Sequence, residues 1–111
     1  GDGTPTREFI FSDDLAEALI FLMNTYDDPK LINIGPHREV SIKQLSELVA
    51  EIIGYTGKIV WDTSKPNGTP RRALDTSKMD ALGWKPKTSL EDGLKITIDW
   101  FIKNRSTYGK V

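Results

Sequence analysis

Residues 61–72 set the strongest limit on how this chain can fold. They include Pro66, Pro70 and an Asn67-Gly68 pair, so neither a regular helix nor a central strand can run through them. Proline fixes its own backbone φ, and Asn-Gly supplies the positive φ that tight turns require. We therefore predict a stiff loop that follows a short strand at residues 58–61.

The same loop carries cations that suit a phosphate ligand. Lys65 lies inside it, and Arg71 and Arg72 directly follow Pro70. A guanidinium is planar and can donate to two oxygens at once, so arginines on a stiff loop can hold a phosphate in a defined geometry. The simpler alternative is a basic turn whose charges are solvated, because charged loops are common.

A third arginine lies near the start of the chain. Arg7 begins an alternating segment, Arg7–Phe11, which we interpret as a short strand that directly follows a loop. If this loop faces the loop at residues 61–72, the three arginines could converge on a diphosphate. The alternative is that Arg7 pairs with Glu8 or Asp75.

The rest of the chain alternates short strands with amphipathic helices. The predicted strands are Arg7–Phe11, Leu31–Ile34 and Lys58–Trp61. The predicted helices run from Ser12 to about Met23, from Ile42 to Ile53, from Ser77 to about Leu82, and from Leu90 to about Phe101. This α/β order has few strands for an independent doubly wound sheet, so we expect a small lobe that packs on a larger domain.

Local signals refine the helix ends. We expect Ser12 to cap the first helix, Ser41 and Gln44 to form a capping box, and Gly54 to end the second helix in a left-handed conformation. The first helix is apolar on nearly all sides, which predicts deep burial. A polar, frayed tail is expected from Asn104 onward.

The three tryptophans are predicted to serve the core. Trp84 and Trp100 are most simply interpreted as core anchors. Trp61 stands at the end of a predicted strand, beside the loop, where it could stack on a base. We favour a core role for it as well.

Composition excludes several classes of function. A chain of 111 residues fits one domain, and its net charge of −1 argues against binding to nucleic acid or to an anionic membrane. With no cysteine and His37 as the single histidine, we expect no disulfide, no cysteine nucleophile and no metal site. No apolar run approaches the roughly 20 residues that span a bilayer. A reducing, cytoplasmic location is expected.

The sequence also lacks the motifs of a complete active site. It has no Gly-x-Gly-x-x-Gly and no Gly-Lys-Ser/Thr, so neither common nucleotide fingerprint is present. Tyr26 and Lys30 have the Tyr-x-x-x-Lys spacing, but they fall at a helix exit, and we interpret the match as coincidence. The chain opens on loop composition and not on Met, so we expect a piece of a longer protein.

Several segments resemble a known family. Residues 1–16, from Gly-Asp-Gly-Thr-Pro to Asp-Asp-Leu-Ala, and the stretches at 75–78, 82–86 and 89–94 resemble the extended short-chain dehydrogenase/reductases that act on nucleotide sugars. This group is the NAD-dependent epimerase/dehydratase family. The narrower match lies in residues 61–72, which closely resemble the loop of the GDP-L-fucose synthases.

The resemblance implies a fold, a reaction and a set of contacts. The chain would be the C-terminal substrate-binding lobe, residues 1–111, and an N-terminal Rossmann domain outside it would carry NADP and the catalytic residues. The whole enzyme, a homodimer, would convert GDP-4-keto-6-deoxy-mannose to GDP-L-fucose by epimerisation and NADPH-dependent reduction. This chain alone would bind no cofactor and would be inactive.

The resemblance also assigns candidate substrate contacts. Arg7 would contact the diphosphate of the GDP-sugar, and Arg72, with Arg71, would approach the nucleotide from the loop that contains Lys65 and Asn67. The family often has Asp at the position of Asn67, so the role of this residue is open.

Two alternatives remain at this point. The lobe could belong to a UDP- or dTDP-sugar epimerase or dehydratase, with the loop at residues 65–72 setting the base preference. It could also be a stand-alone interaction module without catalysis, which predicts no nucleotide preference.

Overall fold

A computed structural model describes residues 1–108, in which helices form most of the regular structure. The strands are β1 (Thr6–Glu8) and β2 (Glu39–Ser41). The helices are α1 (Ser12–Thr25), α2 (Ile42–Ile53), α3 (Ser77–Ala81) and α4 (Leu90–Tyr108). The predicted α/β class and the four helices are confirmed, whereas the strands differ from the prediction.

The sheet is small and antiparallel. β1 pairs with β2 so that Arg7 lies opposite Val40 and Glu8 lies opposite Glu39. On its other side, Thr6 forms an isolated parallel bridge with Arg71. β1 therefore lies between β2 on one side and the backbone at Arg71 on the other.

Two of the three predicted strands are wrong. Residues 31–34 and 58–61 are neither strand nor helix, and the strand at Glu39–Ser41 was missed. The predicted strand at Arg7–Phe11 is shorter and begins one residue earlier. An alternating apolar pattern favours a strand, but a strand also needs a neighbouring strand to pair with. Within residues 1–108, neither residues 31–34 nor residues 58–61 have such a neighbour.

The first helix differs from the prediction in two ways. Ser12 is its first residue, and Phe11 occupies the N-cap position without a side-chain cap. The helix is also far from deeply buried, because Leu19, Ile20 and Met23 are 52%, 60% and 84% exposed. The physical reason is that only the opposite side of α1 contacts the rest of the described chain.

The second helix begins and ends as predicted. Ser41 Oγ accepts a hydrogen bond from the Gln44 N–H at 3.0 Å, and Gln44 Oε1 accepts one from the Ser41 N–H at 2.9 Å. Gly54 closes the helix with φ of 70°. This capping box fixes the start of α2 directly after β2, because Ser41 is both the last strand residue and the N-cap.

The core lies between α1, α3 and the segment that joins α3 to α4. Ala18, Met79 and Trp84 are buried together, and Ile32 and Ile34 pack against them. Trp84 is a core anchor, as predicted, but Trp100 is 51% exposed and is not.

The last helix is longer than predicted. It continues through Tyr108, so the prediction of a frayed tail from Asn104 onward is wrong for residues 104–108. Residues 109–111 lie outside the described part. The Lys103–Asp99 ion pair and the Asn104 Nδ2–Trp100 carbonyl hydrogen bond each link residues four apart and support this end of the helix. No helix among residues 1–108 has both the length and the hydropathy to cross a bilayer.

The buried carboxylate of Asp14 gives a test of the fold. It accepts hydrogen bonds from the Thr88 N–H at 2.8 Å and the Thr88 Oγ1 at 3.1 Å, and so joins α1 to the entry of α4. Asp14→Ala should lower the free energy of unfolding by about 1–3 kcal/mol, because it leaves the partly buried donors of Thr88 unsatisfied. Urea denaturation measures this loss. The exposed neighbour gives the control: Asp13→Ala should cost about 0.3–1 kcal/mol, and equal losses would contradict the account.

Candidate functional site

The structure places the two predicted loops side by side. The Thr6 N–H donates to the Pro70 carbonyl at 2.9 Å, and the Arg72 N–H donates to the Thr6 carbonyl at 3.2 Å. These main-chain bonds fix residues 70–72 along β1. The stiff loop and the N-terminal segment therefore meet, as the convergence hypothesis requires.

Side-chain contacts tie the rest of the loop to the N-terminal segment. Asn67 Oδ1 accepts a hydrogen bond from the Asp2 N–H at 2.7 Å, and Asn67 Nδ2 lies 3.5 Å from Thr4 Oγ1. Asn67 thus holds the loop in place in this structure, and its contact with a ligand stays a prediction. Sequence reasoning gave it only the second role.

A close approach of Gly3 to Trp61 completes this junction. Gly3 has φ of 81°, and a Cβ at this position would lie 2.7 Å from the Trp61 ring. Only glycine leaves room for the ring, so the indole packs on the Gly3 backbone. Trp61 is half-buried and serves packing, as favoured, although its contact is with a loop and not with the central core.

Short acidic turns stiffen both loops. Asp2 Oδ1 accepts from the Thr4 N–H at 2.9 Å, and Asp62 Oδ1 accepts from the Ser64 N–H at 3.0 Å. The hydroxyls of Thr4 and Ser64 also donate to these carboxylates. The hydroxyl bonds, followed by the main-chain bonds, hold the pKa of both carboxyls below the ordinary Asp value. Sequence reasoning missed these turns, although the Asp-x-Thr and Asp-x-Ser spacing signals them.

Strand geometry separates the arginines onto two faces. Successive side chains alternate, and Thr6 is bridged to Arg71, so Arg7 and Arg72 share the face opposite to Thr6 and Arg71. Val40 lies opposite Arg7 in β2 and belongs to the face of Arg7. The backbone register therefore places Arg7 and Arg72 on one face and Arg71 on the other.

Arg71 is engaged in a bidentate ion pair. Its Nε and Nη2 donate to the two carboxylate oxygens of Glu39, each at 2.8 Å. This pairing lowers the pKa of the Glu39 carboxyl and raises that of the Arg71 guanidinium. Arg71 fastens the loop to β2 in this arrangement, and sequence reasoning did not identify Glu39 as its partner.

Arg7 and Arg72 have no such partner. Arg7 is half-buried and its Nη1 donates to the Thr6 carbonyl at 2.6 Å, and within residues 1–108 neither Arg7 nor Arg72 forms an ion pair. The alternative that Arg7 pairs with Glu8 or Asp75 is wrong, because these acids accept main-chain hydrogen bonds from Leu74 and Ser77. The side chain of Lys65 is likewise exposed and unpaired in the described part.

An apolar groove continues the face of Arg7. Its volume is about 470 Å³, and its lining includes Phe9, Phe11, Val40 and Leu90. Arg38 lies at the groove and is bound to Glu91 at 2.8 Å. The face thus combines two unpaired guanidiniums with a neighbouring apolar surface.

Tyr26 and Lys30 do not form a catalytic pair. Tyr26 Oη donates to the Lys30 main-chain carbonyl at 2.8 Å, so the contact involves the backbone and not the amine. Desolvation, with a smaller contribution from Asp28, raises the pKa of the Tyr26 phenol. A tyrosine that exchanges protons near neutral pH needs the opposite shift.

No metal centre is formed by the described residues, since no three His, Cys, Asp or Glu side chains among residues 1–108 are grouped to bind an ion. His37, the single histidine, has φ of 58° in a loop, and its Nε2 lies 2.9 Å from Asp80 Oδ1. This pair joins the loop before β2 to α3.

The Glu39–Arg71 pair predicts how stability depends on pH. The pKa of Glu39 lies below its ordinary value of 4.5, so the unfolded chain binds more protons in that range, and stability falls as the pH drops below 4.5. Glu39→Gln should flatten this part of the stability curve. Urea denaturation across a pH series measures the slope, and an unchanged slope in the variant would contradict the assignment.

Comparisons with known proteins agree in sequence and in fold. Residues 1–35 match the model of the NAD dependent epimerase/dehydratase family. The chain is 53% identical to the putative GDP-L-fucose synthase 2 of Arabidopsis thaliana over 104 residues, which cover 94% of this chain and 32% of that protein. The chain thus spans about a third of the length of the curated relatives it matches.

Solved structures share the fold of this chain. A GDP-L-fucose synthetase from Naegleria fowleri bound to NADP is 31% identical with a TM-score of 0.91, over 96% of this chain and 34% of that one. UDP-glucose 4-epimerase from Thermotoga maritima, with UDP-glucose, is 36% identical with a TM-score of 0.85, over 94% and 34%. A protein named for a GDP-sugar and a protein named for a UDP-sugar thus share this fold.

Proposed function

We propose that this chain, which belongs to the NAD-dependent epimerase/dehydratase family, forms the nucleotide-sugar-binding lobe of a GDP-L-fucose synthase-like enzyme. The whole enzyme converts GDP-4-keto-6-deoxy-mannose to GDP-L-fucose by epimerisation and NADPH-dependent reduction. The lobe is a C-terminal part of a longer polypeptide, located in the cytoplasm and acting as a homodimer. Sequence identity of 53% to a GDP-L-fucose synthase over nearly the whole chain supports this assignment.

The observation that carries the proposal is the shared face of Arg7 and Arg72. Both guanidiniums lack an acidic partner within the described part, although the chain has 16 acidic residues against 15 Lys and Arg. Two unpaired arginines on one face, fixed by main-chain bonds, suit the two phosphates of a nucleotide diphosphate. Because Arg7 is half-buried, its contacts with an anion are less weakened by water than those of a fully exposed side chain.

The other predicted contacts take supporting or peripheral roles. Arg71 fastens the loop through Glu39, and Asn67 fastens it through Asp2, so both position the Arg72 backbone and contact the ligand only after rearrangement. Lys65 is exposed on the loop and adds a charge that attracts the anionic ligand.

NADP does not fit the residues of this chain. Within residues 1–108, the glycines with positive φ lie at separate places: Gly3 and Gly68 in loops, and Gly54 and Gly83 after helices. None forms a glycine-rich turn between a strand and the start of a helix, which is what a dinucleotide pyrophosphate requires. We therefore assign the cofactor and the catalytic residues to a Rossmann domain in the rest of the polypeptide.

The contribution of this lobe to the reaction is positioning. Holding the diphosphate fixes the sugar relative to the cofactor, whose chemistry is hydride transfer to the ketone. Such fixation replaces a bimolecular encounter with an effectively unimolecular step, which can supply several kcal/mol of the barrier reduction.

Similarity to the UDP-glucose 4-epimerase supports a second candidate, a lobe for UDP- or dTDP-sugars. The diphosphate contacts are common to all these ligands, so Arg7 and Arg72 do not separate them. Contacts with the base would separate the two candidates, and the loop at residues 65–72 is the part of this chain that would set the base preference. A non-catalytic interaction module would show no nucleotide preference at all.

A turnover assay tests the proposal. Residues 1–111 and the longer polypeptide that contains them are each mixed with NADPH and GDP-4-keto-6-deoxy-mannose, and NADPH absorbance is followed. We expect oxidation by the longer polypeptide and none by the isolated chain. NADPH oxidation by the isolated chain would overturn the assignment of the cofactor site, and inactivity of the longer polypeptide with this ketosugar would overturn the assigned reaction.

A further inference from the structure

Asn67 ties the stiff loop, residues 61–72, to residues 1–5 through its side-chain amide. Its Oδ1 accepts a hydrogen bond from the Asp2 N–H at 2.7 Å, and its Nδ2 lies 3.5 Å from Thr4 Oγ1. Within the described part, no other side chain of residues 63–69 bonds to residues 1–5. A chemical change in this amide therefore acts directly on the junction between the two loops.

Gly68, the next residue, leaves its main-chain nitrogen unhindered. Gly68 is exposed, and a Cβ built on it would meet nothing within 4 Å. Its N–H donates no hydrogen bond within residues 1–108. Because glycine has no side chain, nothing on the residue itself crowds this nitrogen. Asparagine is thermolabile, and an unpaired, uncrowded nitrogen directly after it is placed to attack the amide carbon.

We propose that Asn67 and Gly68 form a site of spontaneous deamidation, with water as the co-reactant. The Gly68 nitrogen loses its proton and bonds to Asn67 Cγ, while the Cγ–Nδ2 bond breaks and the leaving nitrogen takes up a proton to depart as ammonia. The resulting five-membered succinimide adds one water and opens. Opening at Cγ gives aspartate, and opening at the main-chain carbonyl gives isoaspartate. Neither an oxidant nor a reductant is required.

The two products act differently on the junction. Aspartate keeps an oxygen at the position of Oδ1, so it still accepts from the Asp2 N–H, and its charge strengthens that bond. In isoaspartate the main chain continues through Cγ, and the free carboxylate is attached directly to Cα. The backbone of the loop is then longer by one atom, and the side group is shorter by one atom. Isoaspartate therefore breaks the tether to Asp2, whereas aspartate keeps it.

Peptide mapping of the longer polypeptide tests the site. The folded protein is incubated at neutral and at mildly alkaline pH, and the peptides that contain asparagine are followed by chromatography and mass spectrometry. We expect conversion of Asn67 at least about tenfold faster than that of Asn24 and Asn33, because β-branched residues follow these two and crowd the nitrogen. Equal rates at the three asparagines, or conversion of Asn67 only in urea, would overturn the proposal.

A variant of Gly68 tests the ring-closing step. Gly68→Ala adds a methyl group beside the attacking nitrogen and should slow conversion of Asn67 at least about tenfold, which corresponds to about 1.4 kcal/mol in the barrier. The rate in the unmodified sequence should also rise with pH, because the nitrogen attacks only after losing its proton. An unchanged rate in Gly68→Ala would overturn the ring-closing route, and if this variant does not fold, the comparison with Asn24 and Asn33 decides.

Residue-resolved hydrogen–deuterium exchange tests the effect on the junction. In the isoaspartate form, the Asp2 amide should exchange about twofold to tenfold faster, because it loses its acceptor. The Thr6 amide donates to the Pro70 carbonyl and should not change. Asn67→Asp supplies the matched control, in which the Asp2 amide stays protected. Equal exchange of the Asp2 amide in the isoaspartate form and in Asn67→Asp would overturn the role of the tether.

GDP affinity of fresh and incubated samples tests the consequence for the ligand, and this step rests on the proposed function. Release of the loop should weaken GDP binding about twofold to tenfold, because one hydrogen bond of the junction is lost while main-chain bonds still hold Arg72 along β1. An unchanged affinity would overturn this consequence. Conversion of Asn67 without GDP binding by the fresh sample overturns the proposed function and leaves the deamidation site standing, and GDP binding with a stable Asn67 does the reverse.

Discussion

Arg7→Ala is expected to weaken GDP-sugar binding by the longer enzyme about 10- to 150-fold. A charge-assisted hydrogen bond in a shielded position contributes about 1.5–3 kcal/mol, and about 1.4 kcal/mol corresponds to a factor of ten in affinity. Arg7 is half-buried and has no acidic partner within residues 1–108, so its guanidinium is available to the diphosphate. Isothermal titration calorimetry with GDP measures the change.

Two further variants show whether the loss comes from this position. Arg7→Lys keeps the charge but removes the planar fork, so it should restore only part of the affinity. Arg71→Ala removes the same side chain from the opposite face, where Glu39 holds it, and should cost less than Arg7→Ala. A larger loss from Arg71→Ala would show that the ligand binds on the other face.

Gly3→Ala is expected to lower the free energy of unfolding by about 2–5 kcal/mol. A left-handed conformation costs a residue with a side chain about 1–2 kcal/mol, and overpacking adds about 1–3 kcal/mol. Both apply here, because Gly3 has φ of 81° and its new Cβ would lie 2.7 Å from the Trp61 ring. Urea denaturation followed by tryptophan fluorescence measures the loss.

Gly68→Ala separates the two causes. Gly68 also has a positive φ, of 75°, but a Cβ there would meet nothing within 4 Å. It should therefore cost about 1–2 kcal/mol, the conformational part alone. If both variants lower the free energy of unfolding equally, the contact between Gly3 and the Trp61 ring contributes nothing to the loss of stability.

Local sequence signals predicted the parts of the fold that depend on neighbouring residues. The capping box at Ser41 and Gln44 and the left-handed Gly54 follow from side chains three or four residues apart, and both are confirmed. The strand at residues 31–34 and the burial of Met23 were wrong, because both depend on a partner that the sequence pattern cannot identify.

The adjacency of the two candidate segments was predicted better than the arrangement of their side chains. Turn residues and charge correctly indicated that residues 70–72 and the segment around Arg7 belong together. The division into two faces depends on the register of Thr6 with Arg71, and the ion pair of Arg71 depends on Glu39, which is 32 residues away along the chain. Patterns of neighbouring residues do not indicate which side chains meet when they lie 32 residues apart along the chain.

The most direct test of the central claim is an NMR titration of arginine side chains in the longer enzyme. Nε–H signals of Arg7, Arg71 and Arg72 are assigned from single Arg→Lys variants, and GDP and UDP are added separately. We predict saturable shifts of Arg7 and Arg72, at lower concentrations of GDP than of UDP, while the signal of Arg71, which is bound to Glu39, moves less. Unchanged Arg7 and Arg72 signals at saturating GDP would contradict it.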